Sequence, residues 1–552
     1  MCGILVVVEY GYQNNGNDFE LKNELVDRIN DRGPSWSDTH QVVLENCKIT
    51  FVSSVLSLRR PFTNQPVVID RGVFQFNGEL YNSDINGCDT RYFLELIQKF
   101  GVPGTLQRLR GEYAFVYYER ETGLIWYARD CIGRRSLVRG TDHTADGRNY
   151  FISSIAPDPR HASRSSVEEV DSKGLYVFQI STREWKTYAL WTYEKGAERQ
   201  EYIRYPYRRL SWQEHEINLG SHDNLEDSSR ELENYLETAV GKRVLNIPDF
   251  HINKSEDTEK TLAILFSGGI DCTLLAYFAD KVLPENISID LLNVSFENLR
   301  KNEGWDTPDR ELGLRSWSEL EEARRRRRSV QGHETERASS RFRFVEINVP
   351  YGEMAEHRPF VQRLMWPKNG VMDLSIAIAF YFASRGQGTL IEQDGSRTEN
   401  YTSSSRVLLS GLGADELFAG YSRHIGGLQK GGYENLAREL QLDFDRLDQR
   451  NLGRDDRVSC TWGKEMRYPY LDEDLVDWAM ASPLNGKLHE ENGDGVKSVV
   501  HTKYILRLIA QRAGLTQVSK ELKRAIQFGA RSAKMEPESG KLKGHDTLAG
   551  FV

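Results

Sequence analysis

The spacing of apolar residues changes once along this chain, and the change limits the possible folds more than any other feature. Up to about residue 210, short runs of β-branched and aromatic residues alternate with Gly, Asn and Asp turns. This texture predicts antiparallel strands. After about residue 222, apolar runs alternate with helical stretches, which is typical of a parallel sheet covered by helices on both faces. A chain of 552 residues exceeds one core, so we expect two domains of different class, at residues 2–210 and 222–552.

The N-terminal domain is expected to be an α+β fold with few helices. Its clearest helical segment is Thr90–Phe100. Its predicted strands share a high content of β-branched and aromatic residues, and they are Ile4–Val8, Val73–Phe76, Tyr113–Tyr118 and Leu124–Ala128.

The C-terminal domain is expected to be an α/β fold. Within Leu225–Val244, apolar residues recur at helical spacing along one face. The predicted strands are apolar runs, and they are Leu262–Phe266, Ile289–Phe296, Phe342–Val349 and Val407–Leu409. The polar stretch of about residues 298–341 interrupts the alternation and is expected to be an irregular insertion. It contains the run Arg324–Arg328, whose mixed charge with nearby glutamates favours a solvated helix or loop over a docking patch.

Composition and charge exclude several classes of protein. The net charge of −9 gives no global positive field, so we expect no nucleic-acid partner. No apolar run approaches the ~20 residues of a membrane span, and polar residues from Glu9 onward exclude a signal peptide. Six scattered cysteines without a CxxC pair are typical of a reducing compartment. We expect a cytoplasmic protein with no membrane partner; its oligomeric state stays open, with a homodimer as one alternative.

Cys2 directly follows Met1. Once Met1 is removed, a thiol and an α-amino group share one residue. That amine has an ordinary pKa near ~8, so part of it is unprotonated at neutral pH and can take the thiol proton. This is the arrangement of an N-terminal nucleophile. Many chains begin Met-Cys by chance, so the pair alone leaves open that this cysteine has no catalytic role.

Further polar residues of the N-terminal domain suit an amino-acid substrate with a side-chain amide. Asn77-Gly78 follows a predicted strand, which is typical of a hairpin turn but also of an oxyanion hole made by a side-chain amide and a backbone N–H. Arg32 could grip a substrate carboxylate in bidentate fashion. Glu79 and Asp89 could hold a substrate ammonium.

Five motifs of this domain resemble, in order, the class II glutamine amidotransferase domain that opens asparagine synthetases. They are Met-Cys-Gly-Ile at the start, Arg32-Gly-Pro, Asn77-Gly-Glu-Leu-Tyr-Asn, Leu109-Arg-Gly-Glu-Tyr-Ala-Phe and Ala128-Arg-Asp-Cys-Ile-Gly. The resemblance implies an αββα sandwich of two antiparallel sheets, like that of N-terminal nucleophile hydrolases. It also implies glutamine as substrate and Cys2 as nucleophile, with Asn77 and Gly78 as the oxyanion hole. Its glutamine-binding residues would be Arg32, Glu79 and Asp89.

Two loops in the C-terminal domain follow predicted strands. In the first, Ser267-Gly-Gly-Ile-Asp271 joins a strand to a helix, where small residues and a helix N-terminus can approach an anion. A structural Gly-Gly turn is the alternative, and no GxxxxGK[ST] is present. This loop resembles the pyrophosphate-binding loop of ATP pyrophosphatases, with Cys272 in place of the final Ser. The second loop, Ser410-Gly-Leu-Gly-Ala-Asp-Glu-Leu-Phe, resembles the corresponding asparagine synthetase signature.

The second resemblance implies an adenine nucleotide α-hydrolase-like fold with ATP and Mg²⁺ as cofactors. Its magnesium ligands would be Asp271 and Asp415, since carboxylates hold Mg²⁺ against nucleotide phosphates. Its ATP-binding positions would be Leu265, Ser267, Gly268, Gly269, Asp271, Val294, Ser410 and Gly411.

Three positions depart from the family pattern. Asparagine synthetases carry Glu where this chain has Leu412, and Lys where it has Ala525. Neither replacement can transfer a proton, and the neighbouring Lys523 is the candidate substitute for the lysine, from another direction along the chain. The stretch Val371–Ile376 does not match the Thr-Thr-Ile-Arg stretch that binds aspartate. These departures resemble the branch of asparagine synthetase domain-containing protein 1 and its fungal counterparts.

Two functions are therefore weighed. The first is a glutamine-dependent ligase, in which Cys2 releases ammonia from glutamine, MgATP adenylates a carboxylate, and ammonia forms the amide. The acceptor is aspartate by family default, which would give asparagine. The alternative is a glutaminase joined to an ATP-binding module whose synthetase chemistry has lapsed, acting in regulation or as a scaffold.

Overall fold

A computed structural model describes the chain at residues 2–11, 20–144, 147–161, 163, 165–193, 202–211, 222–247, 261–299, 304–332, 340–491, 499–534 and 546–548. The residues up to 211 are called the N-terminal half below, and those from 222 the C-terminal half. The residues between them lie outside the described part, so the predicted domain limits of 2–210 and 222–552 stay a prediction. Among the described helices, none has the length and hydropathy of a membrane span.

Two sheets build the N-terminal half. Their strands are β1 (Gly3–Tyr10), β2 (Trp36–Val43), β3 (Cys47–Val55), β4 (Val67–Ile69), β5 (Gly72–Leu80), β6 (Gly111–Glu119), β7 (Leu124–Arg129), β8 (Val138–Thr144), β9 (Gly147–Ser153), β10 (Ser165–Glu169), β11 (Gly174–Gln179), β12 (Glu184–Thr192) and β13 (Tyr202–Arg204). The first sheet has the order β10-β8-β9-β1-β3-β2 and the second β13-β12-β11-β7-β6-β5-β4. Neighbouring strands are antiparallel except β12 and β13, which are parallel.

The two sheets pack face to face between helices α1 (Glu20–Asn30) and α2 (Asp89–Leu106). Alternate side chains of β1 face opposite sides of the first sheet. Val6 packs in one apolar cluster with Val116 of the second sheet, whereas Val7 packs with Ile29 of α1. On the far side, Phe93 of α2 packs at 5.2 Å, ring to ring, against Phe74 of β5. The predicted αββα sandwich is confirmed.

The C-terminal half is built around a third sheet with the order β18-β17-β16-β15-β14-β19-β20. Its strands, with those of a separate hairpin, are β14 (Thr261–Leu265), β15 (Ser288–Phe296), β16 (Phe342–Val349), β17 (Gln387–Ile391), β18 (Arg397–Thr402), β19 (Val407–Leu409), β20 (Glu465–Arg467), β21 (Leu488–Glu491) and β22 (Val499–Thr502). The five strands from β16 to β20 along the sheet are parallel, and β17 and β18 form an antiparallel edge. Eight consecutive buried residues in β15 show that both faces of the sheet are covered. The predicted α/β class is confirmed.

The helices of this half are α3 (His222–Val244), α4 (Ile270–Val282), α5 (Pro308–Val330), α6 (Tyr351–Met365), α7 (Val371–Arg385), α8 (Ala414–Leu417), α9 (Ser422–Phe444), α10 (Gly453–Cys460), α11 (Glu473–Ala481), α12 (Leu484–Lys487), α13 (Tyr504–Arg512) and α14 (Ile526–Gly529). The predicted segments of both halves lie within observed strands and helices of the same type, except that Phe266 lies one residue beyond β14.

The expectation of an irregular insertion over residues 298–341 is wrong in its middle part. The helix α5, Pro308–Val330, occupies it, and residues 300–303 and 333–339 lie outside the described part. The side chain of Thr307 caps the helix by accepting from the backbone N of Arg310 at 3.3 Å. The arginine run forms the end of this helix, where Arg324 and Arg327 pair with Asp280. The run therefore anchors α5 to α4 instead of being solvated throughout.

Candidate functional site

Cys2 lies directly before β1, where polar groups from two other segments reach it. Its backbone nitrogen donates to Oδ1 of Asn77 at 2.9 Å, and Nε2 of Gln65 lies 3.7 Å from its sulfur. The residue is 9% exposed, and burial raises the pKa of its thiol to about 11. The thiol is thus mostly protonated until a base acts on it. Met1, whose removal the nucleophile hypothesis requires, lies outside the described residues.

Asn77 and Gly78 belong to β5 and pair with β6, so they do not form the hairpin turn that was one alternative. Nδ2 of Asn77 is buried and has no hydrogen-bond partner among the described residues. Such a donor is costly to bury unless something accepts from it, which suits an oxyanion. A Cβ on Gly78 would lie 2.1 Å from the carbonyl oxygen of Glu112, so only glycine fits here.

Glu79 and Asp89 converge on one guanidinium, that of Arg59. Nε of Arg59 donates to Oε1 of Glu79 and lies 4.0 Å from Oδ2 of Asp89. The Arg59 side chain keeps 12% of its surface exposed. Burial raises the pKa of both carboxyl groups, and Arg59 opposes this shift. The two acids and Arg59 are groups of the kind that bind an α-amino acid.

Arg32 is placed differently from the sequence-based expectation. Its Nη2 donates to Oδ2 of Asp456 in α10 at 2.8 Å, and its Nε lies 3.4 Å from the carbonyl oxygen of Cys2. Arg32 is only 1% exposed, and Asp456 is fully buried. The guanidinium thus connects the Cys2 segment to the C-terminal half, and its role in glutamine binding stays a prediction.

Buried charges fill the contact between the two halves. Arg243 bridges them by donating from Nε to Oε1 of Glu112 at 2.9 Å and from Nη1 to Oδ2 of Asp472 at 2.8 Å. Buried charges of this kind must be paired to be tolerated. The members are each at most 2% exposed, and they are Arg32, Glu79, Glu112, Arg135, Arg243, Asp456, Glu465, Arg467 and Asp472.

The first loop of the C-terminal half has the backbone shape expected of an anion cradle. Gly268 has a φ of +79°, and Gly269 is the N-cap of α4. Oγ of Ser267 lies 3.5 Å from the backbone nitrogen of Gly269. The thiol of Cys272 lies against this loop, since Sγ donates to the carbonyl oxygen of Gly269 at 3.2 Å and lies 3.7 Å from Oγ of Ser267. Backbone donors and a helix N-terminus are left to bind an anion.

The predicted ATP-binding positions gather at one edge of the third sheet. Leu265 ends β14, and β14 lies between β15, which carries Val294, and β19, which leads into Ser410 and Gly411. All three strands are parallel, so their carboxyl ends meet at the same edge. Ligands of open α/β sheets bind at such an edge.

Asp271 and Asp415 meet at Lys503. Nζ of Lys503 lies 2.5 Å from Oδ2 of Asp271 and 2.6 Å from Oδ1 of Asp415. Lys503 itself is 2% exposed and has a φ of +53°, so the surrounding structure holds it in a rarely adopted conformation. Two acids that are 144 positions apart in the sequence therefore share one cation.

Lys523 also reaches this acidic pair. Its Nζ lies 2.6 Å from Oδ2 of Asp415, and the two lysines lower the pKa of Asp415 despite its burial. Ala525 caps α14, and Leu412 packs partly buried against the main core. A lysine is thus present beside the acids, although at position 523 and not at 525.

The stretch at Val371–Ile376 forms the first turns of α7. Asp373 there pairs with Arg454 of α10, and Oγ of Ser375 donates to the carbonyl oxygen of Met372 at 2.8 Å. The start of this helix therefore provides an acid that is already paired.

Four residues of these sites were missed by sequence reasoning: Arg59, Gln65, Lys503 and Arg467. Each acts on a partner that is distant in the chain, from 20 positions for Arg59 and Glu79 to 388 for Arg467 and Glu79. A pattern of neighbouring residues cannot indicate such pairs.

Comparison with known families gives two matches. The glutamine amidotransferase domain model matches residues 1–189, and the asparagine synthase model matches residues 425–536. The second match begins after both loops at the sheet edge, so the geometry of those loops is independent of it.

Whole-chain relatives come from several kingdoms. The asparagine synthetase domain-containing protein YML096W of Saccharomyces cerevisiae is 37% identical over 549 residues, which cover 97% of this chain and 93% of the yeast protein. Human asparagine synthetase domain-containing protein 1 is 29% identical, covering 97% of this chain and 96% of the human one. The putative asparagine synthetase [glutamine-hydrolyzing] 1 of Methanocaldococcus jannaschii is 24% identical, covering 83% of this chain and 78% of the archaeal one.

Proposed function

Because this chain belongs to the family of asparagine synthetase domain-containing proteins, we propose that it is a glutamine-dependent ligase with two separate sites. The N-terminal half hydrolyses glutamine to glutamate and ammonia. The C-terminal half uses ATP to activate a carboxylate, and ammonia converts the activated carboxylate to an amide. Ammonia released into solvent would be protonated and lost, so a shielded route between the sites is part of the proposal.

In the N-terminal half, the thiol of Cys2 attacks the side-chain amide carbon of glutamine. Its proton passes to the α-amine that removal of Met1 frees on the same residue. Nδ2 of Asn77 and the backbone N–H of Gly78 stabilise the oxyanion. The protonated α-amine gives this proton to the departing nitrogen, ammonia leaves, and water then hydrolyses the thioester to glutamate. Glu79 and Asp89 hold the substrate ammonium, and Arg59 binds its carboxylate because it keeps an exposed face in that pocket.

In the C-terminal half, the residues present fit Mg²⁺. This ion commonly binds one or two carboxylates together with substrate phosphates, and Asp271 with Asp415 would provide the carboxylates. Among the described residues there is no group of three or more metal-ligating side chains, which agrees with such an open site. When bound, Mg²⁺ would neutralise phosphate charge. Ser267, Gly268, Gly269, Ser410 and Gly411 would hold the nucleotide phosphates by backbone and hydroxyl donors.

One observation carries the synthetase part of the proposal: Lys503 and Lys523 both contact Asp415 at 2.6 Å. Buried charges are costly unless they have a use or full pairing. A site without synthetase activity would not need two lysines and two acids held together beside the two loops at the carboxyl ends of the strands. Leu412 and Ala525 replace the glutamate and the lysine of the family, but charged side chains remain around Asp415.

The proposal is tested with purified protein, glutamine, ATP, Mg²⁺ and a panel of carboxylic acids that begins with aspartate. Glutamate, AMP, pyrophosphate and amide are measured separately. We expect AMP and amide to form in equal amounts with at least one acid, and amide formation from glutamine to disappear in Cys2→Ala. Amide formation in Cys2→Ala should return when ammonium is added. Aspartate leads the panel by family default, and absence of asparagine would remove it as acceptor.

The second candidate is a glutaminase with an inactive ATP-binding half. The partly buried Leu412 favours it, since leucine cannot accept a proton where the family has glutamate. It requires glutamate formation without AMP or pyrophosphate for every acid in the panel. Steady pyrophosphate release with any acid would exclude it.

A further inference from the structure

Asp309 is a buried carboxylate in the first turn of α5 that has not been assigned a role. It is 4% exposed, and its side chain forms no hydrogen bond or ion pair with the described residues. Burying a carboxylate without partners is strongly unfavourable. A fold retains such a group at a cost in stability, so it is a candidate for function.

The helix that carries Asp309, α5, packs against the loop Ser267–Asp271, which is called the nucleotide loop here. Nδ2 of Asn293 donates at 2.9 Å both to the carbonyl oxygen of Phe266, directly before the loop, and to that of Asp309. Farther along α5, Oγ of Ser316 donates to the carbonyl oxygen of Gly268 at 2.7 Å. The backbone of Asp309 is therefore fixed against the loop that we propose holds ATP.

The Asp309 carboxyl group itself faces the C-terminal segment that carries Lys523 and Gly529. A Cβ on Gly529 would lie 2.0 Å from Oδ1 of Asp309, so the carboxyl group lies directly against that glycine. Burial raises the pKa of Asp309 to about 7, while the positive charges of Arg524 and Lys523 oppose the shift. Lys523 in turn contacts Asp415. Asp309 thus lies between the nucleotide loop and the acidic pair.

We propose that Asp309 is the catalytic base of amide formation in the C-terminal half. This inference rests on the proposed function. The lone pair of ammonia forms a bond to the activated carbonyl carbon, and the carboxylate of Asp309 takes one proton from that nitrogen. The bond from carbon to the AMP oxygen then breaks, and AMP leaves with the electron pair. The products are the amide, AMP and a protonated Asp309, which returns its proton to solvent.

The other acids near this edge already have partners. Asp271 and Asp415 share Lys503, and Oε1 of Glu416 accepts from the Tyr421 hydroxyl at 2.6 Å. Asp309 therefore keeps a free carboxylate in a half of the chain that has Leu412 in place of the family's glutamate.

The main test compares Asp309→Asn with Asp306→Asn, an exposed acid three residues earlier. Three rates are measured with the acid that the panel selects: glutamine hydrolysis, acid-dependent exchange of pyrophosphate into ATP, and amide formation. In Asp309→Asn we expect amide formation to fall by about 10²-fold or more, with exchange and glutamine hydrolysis retained. Asp306→Asn should match the wild type in all three.

A second variant moves the carboxyl group without removing it. Gly529→Ala places a methyl group against Oδ1 of Asp309, and Gly352→Ala is the control because its Cβ would meet open space. We expect Gly529→Ala to lose amide formation and keep exchange, whereas Gly352→Ala changes neither.

The pH profile gives an independent measurement. Asp309 must be deprotonated to act, so wild-type amide formation should fall as the pH decreases below about 7, and this limb should be absent from the residual activity of Asp309→Asn. Unchanged amide formation, or equal loss of exchange, in Asp309→Asn would overturn the inference. If the wild type shows no exchange with any acid, the proposed function itself fails and the inference falls with it.

Discussion

Arg467 of β20 donates from Nη2 to Oε2 of Glu79 at 3.2 Å, and so joins the third sheet to the strand that carries the proposed oxyanion hole. Its Nε donates to Oε1 of Glu465 at 2.7 Å. Its carbonyl oxygen accepts from the backbone N of Ser410 at 3.0 Å. One residue therefore contacts both the proposed glutamine site and the proposed nucleotide site.

The first prediction concerns the stability that this contact provides. Replacing Arg467 with Met leaves Glu79 and Glu465 without their shared buried cation, and removing one partner of a buried pair typically costs about 3–5 kcal/mol. We expect the thermal unfolding midpoint of Arg467→Met to fall by several degrees.

The matched control for this prediction is Arg208→Met. Arg208 pairs with Asp477 across the same two halves, but their side chains are 52% and 33% exposed. Exposed pairs contribute about 0–1 kcal/mol, so this midpoint should hardly change. Equal shifts in the two variants would contradict the assignment of stability to the buried network.

The second prediction separates Arg59 from Arg32. Arg59→Met should raise the KM for glutamine by about 10- to 100-fold, because a hydrogen bond to a charged group contributes about 1.5–3 kcal/mol. Arg32→Met should instead lower the unfolding midpoint, since it leaves Asp456 buried without its partner. Steady-state glutaminase kinetics and thermal unfolding of both variants give the answer. A large rise in KM for Arg32→Met alone would restore Arg32 as the carboxylate-binding residue.

Local sequence patterns predicted the named strands because their residues are mostly aliphatic, β-branched or aromatic, as in β14. They failed at α5 for a physical reason. The buried face of this helix carries Arg310, Glu319 and Arg324 beside its few apolar residues, so it has no apolar stripe to detect. Its charges are neutralised by partners such as Asp280 that only the fold brings near.

For the candidate site, too, some residues could be found from the sequence and others could not. Motif positions such as Asn77 and Asp415 could be singled out because the motifs around them resemble those of a known family, and their roles stay predictions. The partners of those residues could not, since Lys503 lies 232 positions from Asp271 and no periodicity connects them. The motif of Arg32 likewise gave no indication of its partner Asp456, because that carboxylate comes from the other half of the chain.

The third prediction tests Lys523 as a functional replacement for the missing family lysine. Lys523→Met removes the ammonium that lies 2.6 Å from Oδ2 of Asp415, so acid-dependent exchange of pyrophosphate into ATP should fall by about 10- to 100-fold. Glutamine hydrolysis should stay unchanged. Lys520→Met is the control, since Lys520 is exposed three residues earlier. Restoration of exchange by adding Ala525→Lys to Lys523→Met would support a shared role, and normal exchange in Lys523→Met would exclude one.

The fourth prediction concerns how the Cys2 thiol loses its proton. Burial raises its pKa to about 11, and the thiolate is the reactive form. With one alanine inserted between Met1 and Cys2, the α-amine is no longer on the cysteine. Alkylation of Cys2 by iodoacetamide should then rise about tenfold per pH unit up to about pH 10. In protein that begins at Cys2, alkylation should level off near pH ~8, where its α-amine becomes an unprotonated base.

Mass spectrometry of the N-terminal peptide after quenched incubations measures this rate. The five other cysteines are all buried and serve as internal controls, since their slow labelling should be the same in both proteins. A glutamine analogue with an electrophilic carbon should label only the protein that begins at Cys2, and Cys2→Ser should abolish that product. The same pH profile in both proteins would show that the α-amine is not the base, and the N-terminal nucleophile proposal would then have to be abandoned.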